Sequence, residues 1–326
     1  MPIFTKPKKA RAADELRVIA KKLSFEGAAL AQSLKNGAFS SLKTGRGLDF
    51  AGVREYSPLE DDSRFIDWRV TARMPPDVHS HAPRPFVKIY TEEKQLSFFL
   101  LIDVSKSVLQ DEALKNACFA SAGLLAFAAE HLKSPLGYIL FDGSLRTISQ
   151  TASRQNEALR FLTELEKVFS LSAVDSEAGA DGATGGSALK SALIHADKLL
   201  SHNAGAAVSA REKNLLFIIS DFRTVGWQNI LPAIAAKHNI CAVKLASPFE
   251  KMLPNLGLIP VRDSESGKTA LLQTYSKQFL RRHKDEAENR DFAHMEACKK
   301  NRIRTVNLRP PLTATAICAS LRAQFS

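Results

Sequence analysis

Apolar residues in this chain fall into short unbroken runs separated by longer periodic ones. Phe98 to Ile102 and Leu215 to Ile219 are continuous apolar stretches bounded by polar residues. Runs of that length suit strands covered on both faces, as the central strands of a parallel sheet are. Leu136 to Phe141, Ile240 to Leu245 and Arg304 to Leu308 read as further strands, and Phe86 to Tyr90 alternates like an edge strand. Between them lie helical patterns: Glu112 to Leu132, apolar nearly all round and therefore buried, then Arg154 to Phe169, Ala188 to Leu200, Gln228 to Lys237, Tyr275 to Lys299 and Thr313 to Gln324. Asp142-Gly143 signals a hairpin into Leu145 to Ile148, and a second hairpin is expected around Ser264 to Lys268. Strands alternating with helices imply an α/β fold with right-handed crossovers, a mainly parallel sheet and helices on both faces.

The first 94 residues read differently. Residues 1 to about 37 begin with a basic tip and continue as a helix whose stripe is Leu16, Val18, Ile19 and Leu23. Gly37, Gly45, Gly47 and Gly52 then punctuate a loop-rich segment, and a Pro-rich stretch from Pro75 to Pro85 leads to the first strand. The chain therefore divides, on sequence, into an amino-terminal extension over 1–94 and an α/β domain over 95–326.

Composition narrows the function classes. A net charge of +11 permits an acidic or nucleic-acid partner, yet the basic residues are spread along the chain. There is no RNA-binding aromatic signature, zinc-finger spacing or basic heptad helix, so nucleic-acid binding rests on charge alone. Cys118, Cys241, Cys298 and Cys318 never form a Cys-x-x-Cys pair, and the start lacks a signal-like apolar region. A reduced, cytoplasmic compartment is the expectation. No apolar stretch is long enough for a bilayer span.

The chemistry concentrates after the two central strands. The first ends at Asp103, followed by Ser105 and Ser107 at alternate positions, and the second ends at Ser220-Asp221. Open α/β sheets bind ligands just beyond the carboxyl ends of their strands. A third loop, Thr184-Gly-Gly-Ser187, offers another hydroxyl from Thr184 or Ser187. Carboxylates and neutral hydroxyls suit a hard cation such as Mg2+, or Mn2+, with a position left open. The competing reading is local: the serines cap helix starts and the aspartates accept loop amides. An aspartyl-phosphate phosphatase would want a second Asp two residues after Asp103 as general acid, and Ser105 occupies that place. Gly267-Lys268-Thr269 resembles the end of a phosphate-binding loop, but position 262 is Arg and the context is a hairpin. His79 and His81 could share a strand face, yet no third metal ligand stands near them and they read as a solvent-exposed pair.

A segment before the sheet adds a second theme. Arg54, Asp61, Asp62, Arg64, Asp67, Trp68, Arg69 and Arg73 crowd opposite charges beside aromatic residues, which predicts a fixed ion-pair network or partner surface. Together the motifs carry a resemblance. Asp103-x-Ser105-x-Ser107, the Gly-Gly hydroxyl loop and Asp221 resemble the metal-ion-dependent adhesion site of von Willebrand factor A (VWA) domains, with Ser187 where that family usually has Thr. Gly45-Arg-Gly-Leu-Asp-Phe50, Val53-Arg-Glu-Tyr-Ser-Pro58 and Ile66-Asp-Trp-Arg-Val-Thr-Ala-Arg73 are similar to the bacterial family numbered fifty-eight among domains of unknown function. The resemblance implies a VWA-like domain acting as an adaptor for a MoxR-type AAA+ ATPase and a client protein. Asp103, Ser105, Ser107, Ser187 and Asp221 would be the metal residues, with no catalytic ones.

Overall fold

The structure, a computed structural model, describes residues 8–37, 44–45, 49–58, 61–74, 84–91, 97–142, 144–152, 156–174, 188–203, 214–224, 226–250, 253–262 and 269–325. Two compact units divide the chain, residues 1–37 with 96–326, and residues 38–95. In chain order, α1 (Lys8–Gly37) precedes β1 (Thr44–Gly45), β2 (Asp49–Glu55), α2 (Trp68–Thr71) and β3 (Phe86–Thr91). Next come β4 (Phe98–Asp103), α3 (Lys106–Leu109), α4 (Glu112–His131), β5 (Leu136–Phe141), β6 (Leu145–Ala152), α5 (Glu157–Val174) and α6 (Ala188–Asn203). The remainder is β7 (Leu215–Ser220), α7 (Leu231–Lys237), β8 (Asn239–Leu245), β9 (Leu258–Arg262), β10 (Thr269–Gln273), α8 (Lys277–Lys300), β11 (Arg304–Leu308) and α9 (Ala314–Arg322).

The large unit is a mixed α/β structure around a six-stranded sheet of order β11-β8-β7-β4-β5-β6. All neighbours are parallel except β6, which returns antiparallel along β5. β4 is interior, as its unbroken apolar run requires: every residue from Phe98 to Asp103 is buried. Phe99 and Leu101 enter a cluster with Leu189, Leu193, Trp227 and Ile234, so α6 and α7 cover that face. The alternate residues serve the other face, where Phe98 stacks on Phe217 at 5.8 Å and Phe217 meets Phe325 at 6.2 Å. Tyr138 of β5 meets Phe161 of α5 at 4.8 Å.

α1 packs in the same unit as the sheet, against α4 and α9. Its inward stripe is Ala20, Leu23, Gly27, Leu30, Ala31 and Leu34, while Val18 and Ile19, expected to be inward, are exposed. The small residues decide this: a Cβ on Gly27 would stand 2.8 Å from Cβ of Phe127, so the glycine is what lets the two helices approach. Glu26 accepts a hydrogen bond from Thr315 (2.9 Å), and Arg322 donates to Ser33 (3.1 Å).

The small unit holds a three-stranded antiparallel sheet of order β1-β3-β2. β3, expected at an edge, lies between β1 and β2; β2 forms where glycines suggested loop by pairing along it, with a register irregularity between Phe50 and Gly52. Elsewhere the expected strands match the observed ones closely, with β6 continuing past Ile148 to Ala152. The hairpin predicted around Ser264 to Lys268 is β9–β10.

Candidate functional site

Register brings the site together. β4 and β7 are parallel with Ile102 opposite Ile219, so the next residues, Asp103 and Ser220, lie level at the carboxyl end. Ser220 Oγ donates to Asp103 Oδ2 at 2.6 Å, and the Ser105 amide donates to Asp103 Oδ1 at 3.0 Å. Ser105 stands at the start of α3 yet makes no side-chain cap. Its Oγ instead lies 2.9 Å from Ser107 Oγ, which donates to Asp221 Oδ2 at 2.8 Å. A chain of oxygens thus joins the β4 loop to the β7 loop. Simple capping accounts for the amide bonds of Asp103 but not for this inter-loop hydroxyl chain.

Both carboxylates are buried. Burial first, and the charge of Asp221 second, push the Asp103 carboxyl up to about 7. Two acids forced together in a dry place repel, and a cation between them would relieve that cost. Asp221 is steadied by the Arg223 amide (3.1 Å) and lies 3.7 Å from Arg223 Nε, while Arg223 Nη2 reaches Glu250 at 2.7 Å. The loop after Asp221 is held by Phe222, whose φ of 55° is unusual for a bulky residue. Its amide donates to Ser220 Oγ (3.0 Å), and its ring lies between Trp227 (5.2 Å) and His294 (4.5 Å). Asp111 caps α4 and accepts from Ser247 Oγ at 3.1 Å, a second tie between loops at this edge.

The donor set fits a hard cation in kind: two carboxylates and two neutral hydroxyls, all oxygen. Among the described residues no group of three or more His, Cys, Asp or Glu side chains gathers as a metal site, so hydroxyls are needed here. Thr184 and Ser187, expected to add the third loop, lie outside the described residues, as do His79, His81, Gly267 and Lys268. Ser220, Arg223 and Glu250 were not singled out by sequence. Ser220 shows only through the strand register, and the Arg223–Glu250 pair spans 27 positions.

The charged segment before the sheet holds several ion pairs among the residues expected there. Arg54 meets Asp61 at 2.7 Å, Arg64 meets Asp62 at 2.6 Å, and Asp67 pairs with Lys88 of β3 at 2.5 Å. Asp67 also caps α2 through the amides of Arg69 (2.9 Å) and Val70 (3.1 Å). The Lys88 ammonium holds its carboxyl below the usual range. Trp68, Arg69 and Arg73 are exposed, so the tryptophan does not anchor these pairs.

Comparison with known proteins gives a family but no activity. The family described as "Protein of unknown function DUF58" matches residues 52–293. An uncharacterized protein of Mycobacterium tuberculosis is 26% identical over 237 residues, covering 71% of this chain and 65% of that protein. A Mycobacterium avium protein, also uncharacterized, is 38% identical over 60 residues, covering 18% of this chain and 36% of the other. The chain thus spans about 65% of the length of the first of these relatives. Among solved structures, manganese-loaded Plasmodium vivax TRAP protein is similar with a TM-score of 0.31 and 12% identity, covering 46% of this chain and 57% of that one. The pilus adhesin SpaC from Lactobacillus rhamnosus GG gives 0.38 and 10%, covering 72% and 30%. Scores this low carry no functional argument.

Proposed function

The chain belongs to DUF58, a family of unknown function, and from that premise we propose that it is a protein-binding module organised around a divalent cation, and not an enzyme. In this reading the sheet is a VWA-like domain. Asp103, Ser105, Ser107 and Asp221, with the hydroxyl of Ser187 or Thr184, would hold Mg2+ or Mn2+. The cation supplies a Lewis-acid point for an incoming oxygen ligand, and the chain's own residues position it. A partner's acidic side chain completes the coordination, so association depends on the metal.

The observation that carries the reading is the buried Asp103–Asp221 pair linked by two serine hydroxyls. Ser105 stands where a phosphatase would need its acid, which disfavours ester hydrolysis. All four cysteines are buried with their thiols pushed above the ordinary value, unlike activated nucleophiles. The partner in this proposal is a MoxR-type AAA+ ATPase, with a client protein presented to it. Among the described residues no helix is long and apolar enough to cross a membrane.

The test is capture. The full chain, immobilised with Mg2+ or with chelator, is offered a MoxR-type ATPase. Metal-dependent capture that Ser105→Ala with Ser107→Ala weakens supports the reading. Capture unchanged by chelator and by the double variant moves the contact to another surface, and absence of capture removes the ATPase partnership.

A further inference from the structure

At the opposite end of the sheet, where the strands begin, α7, the start of β8 and the α8–β11 turn enclose a cavity of about 430 Å³. Small-molecule sites run from about 300 to 1,000 Å³. His238, Ile240 and Ile303, all buried, line it, and the exposed Lys300 and Arg302 stand at its rim where β11 begins at Arg304. Among the described residues that line it there is no carboxylate. Nor do Lys300, Arg302 or Arg304 pair with a carboxylate elsewhere among the described residues. The acid nearest His238, Asp197, sits 3.3 Å from His238 Nε2 and is shared with Lys237 at 2.8 Å. The Arg304 side chain belongs to the other face of the sheet, level with Cys241 and Phe217, with its guanidinium 4.9 Å from the Phe325 ring centroid.

Part of this charge has an ordinary explanation. Lys299 and Lys300 stand in the last turn of α8, where the helix dipole favours cations. Arg302 and Arg304 lie past that end. Arg302 has φ of 55° and follows the cap residue Asn301. The Arg302 amide returns to Lys299 (3.1 Å) and the Ile303 amide to Cys298 (2.9 Å), a closure that ordinarily takes glycine at this position. An arginine adopts that backbone at a cost glycine avoids. Arg302 therefore holds its place in the lining at a backbone cost.

We propose that this cavity binds an anion bearing a diphosphate group. Two cations, Lys300 from the end of α8 and Arg302 from the turn after it, line the cavity beside His238, Asn239 and Asn301, one for each of two linked phosphates. A single tetrahedral anion would leave most of the volume to water. The site is independent of the Asp103 cluster and of the function proposed above.

The experiment is calorimetry on the full chain in chelator at fixed ionic strength, with pyrophosphate, ADP, inorganic phosphate and sulfate. Saturable binding of pyrophosphate or ADP, tighter than either single anion, is expected. Tighter ADP than pyrophosphate assigns the diphosphate to a nucleotide, and equal or weaker ADP assigns it to the free anion. Lys300→Ala and Arg302→Gly should each weaken binding about tenfold, the loss of one charge-assisted contact. Arg302→Gly should melt no lower than the parent, since it relieves the backbone, which separates lost binding from lost folding. No saturable binding of either diphosphate, or affinity unchanged in both variants, overturns the proposal.

Discussion

Replacing Asp103 by asparagine tests the electrostatics of the candidate metal site directly. In the folded chain its carboxyl is raised from 3.8 to about 7 by burial and by Asp221. Between those values the folded state keeps a proton that the unfolded chain has released. Stability contributed by this group is therefore present at low pH and falls as pH rises through the window, reaching a plateau above about 7. At 1.36 kcal/mol per pKa unit the full loss is on the order of 4 kcal/mol. The amide in Asp103→Asn cannot ionise and keeps the side chain's shape and one oxygen, at the loss of about 1 kcal/mol for a weakened hydrogen bond from Ser220 or Ser105.

The assay is urea unfolding of both proteins in chelator across pH 5 to 8. Wild type should lose stability relative to Asp103→Asn with rising pH, by a few kcal/mol in all. His294 acts in the opposite sense: burial lowers its pKa from 6.5 to about 4, so its contribution is lost as pH falls through that window. It is present in both proteins and cancels in the difference. Adding Mg2+ at pH 8 should restore wild type and leave Asp103→Asn unmoved. Parallel pH profiles in chelator would refute the argument that these two acids repel in the folded state.

Four further outcomes are expected. Ser105→Ala with Ser107→Ala should abolish the thermal shift with Mg2+ or Mn2+ while costing about 1–3 kcal/mol in chelator, the sum of a few hydroxyl hydrogen bonds; an undiminished shift would place the metal elsewhere. Asp67→Ala removes both the α2 cap and the Lys88 pair, and it should unfold earlier than Glu288→Ala, whose exposed partner Lys284 is 3.8 Å away; equal midpoints would show a solvated segment. Gly27→Val should lower stability by about 1–3 kcal/mol in denaturant melts, because Phe127 Cβ already stands 2.8 Å from where a Cβ would be. The pure protein should not turn over a phosphate ester, and turnover that Asp103→Asn abolishes would restore the phosphatase reading.

What the sequence determined by itself is the inventory of the sheet and where its acids stand. A strand covered on both faces must be apolar throughout, so Phe98 to Ile102 and Leu215 to Ile219 announced themselves, and Asp103 and Asp221 followed as residues at their carboxyl ends. Periodicity describes which side of one element faces inward, and little about what meets it. Only the strand register set Ser220 beside Asp103, and only the meeting of distant loops joined Arg223 to Glu250. The inward stripe of α1 runs through Ala20, Leu23 and Gly27 because Gly27 is where α4's Phe127 comes too close for a Cβ, and that face leaves Val18 and Ile19 exposed. Trp68 stands exposed, while Asp67 pairs with Lys88 and two backbone amides, a placement its aromatic character did not signal. The cationic cavity likewise needed α7, α8 and β8 to be packed before Lys300 and Arg302 shared one rim while Arg304 turned to the other face of the sheet, since the nearby positions do not say which side of the turn each side chain takes.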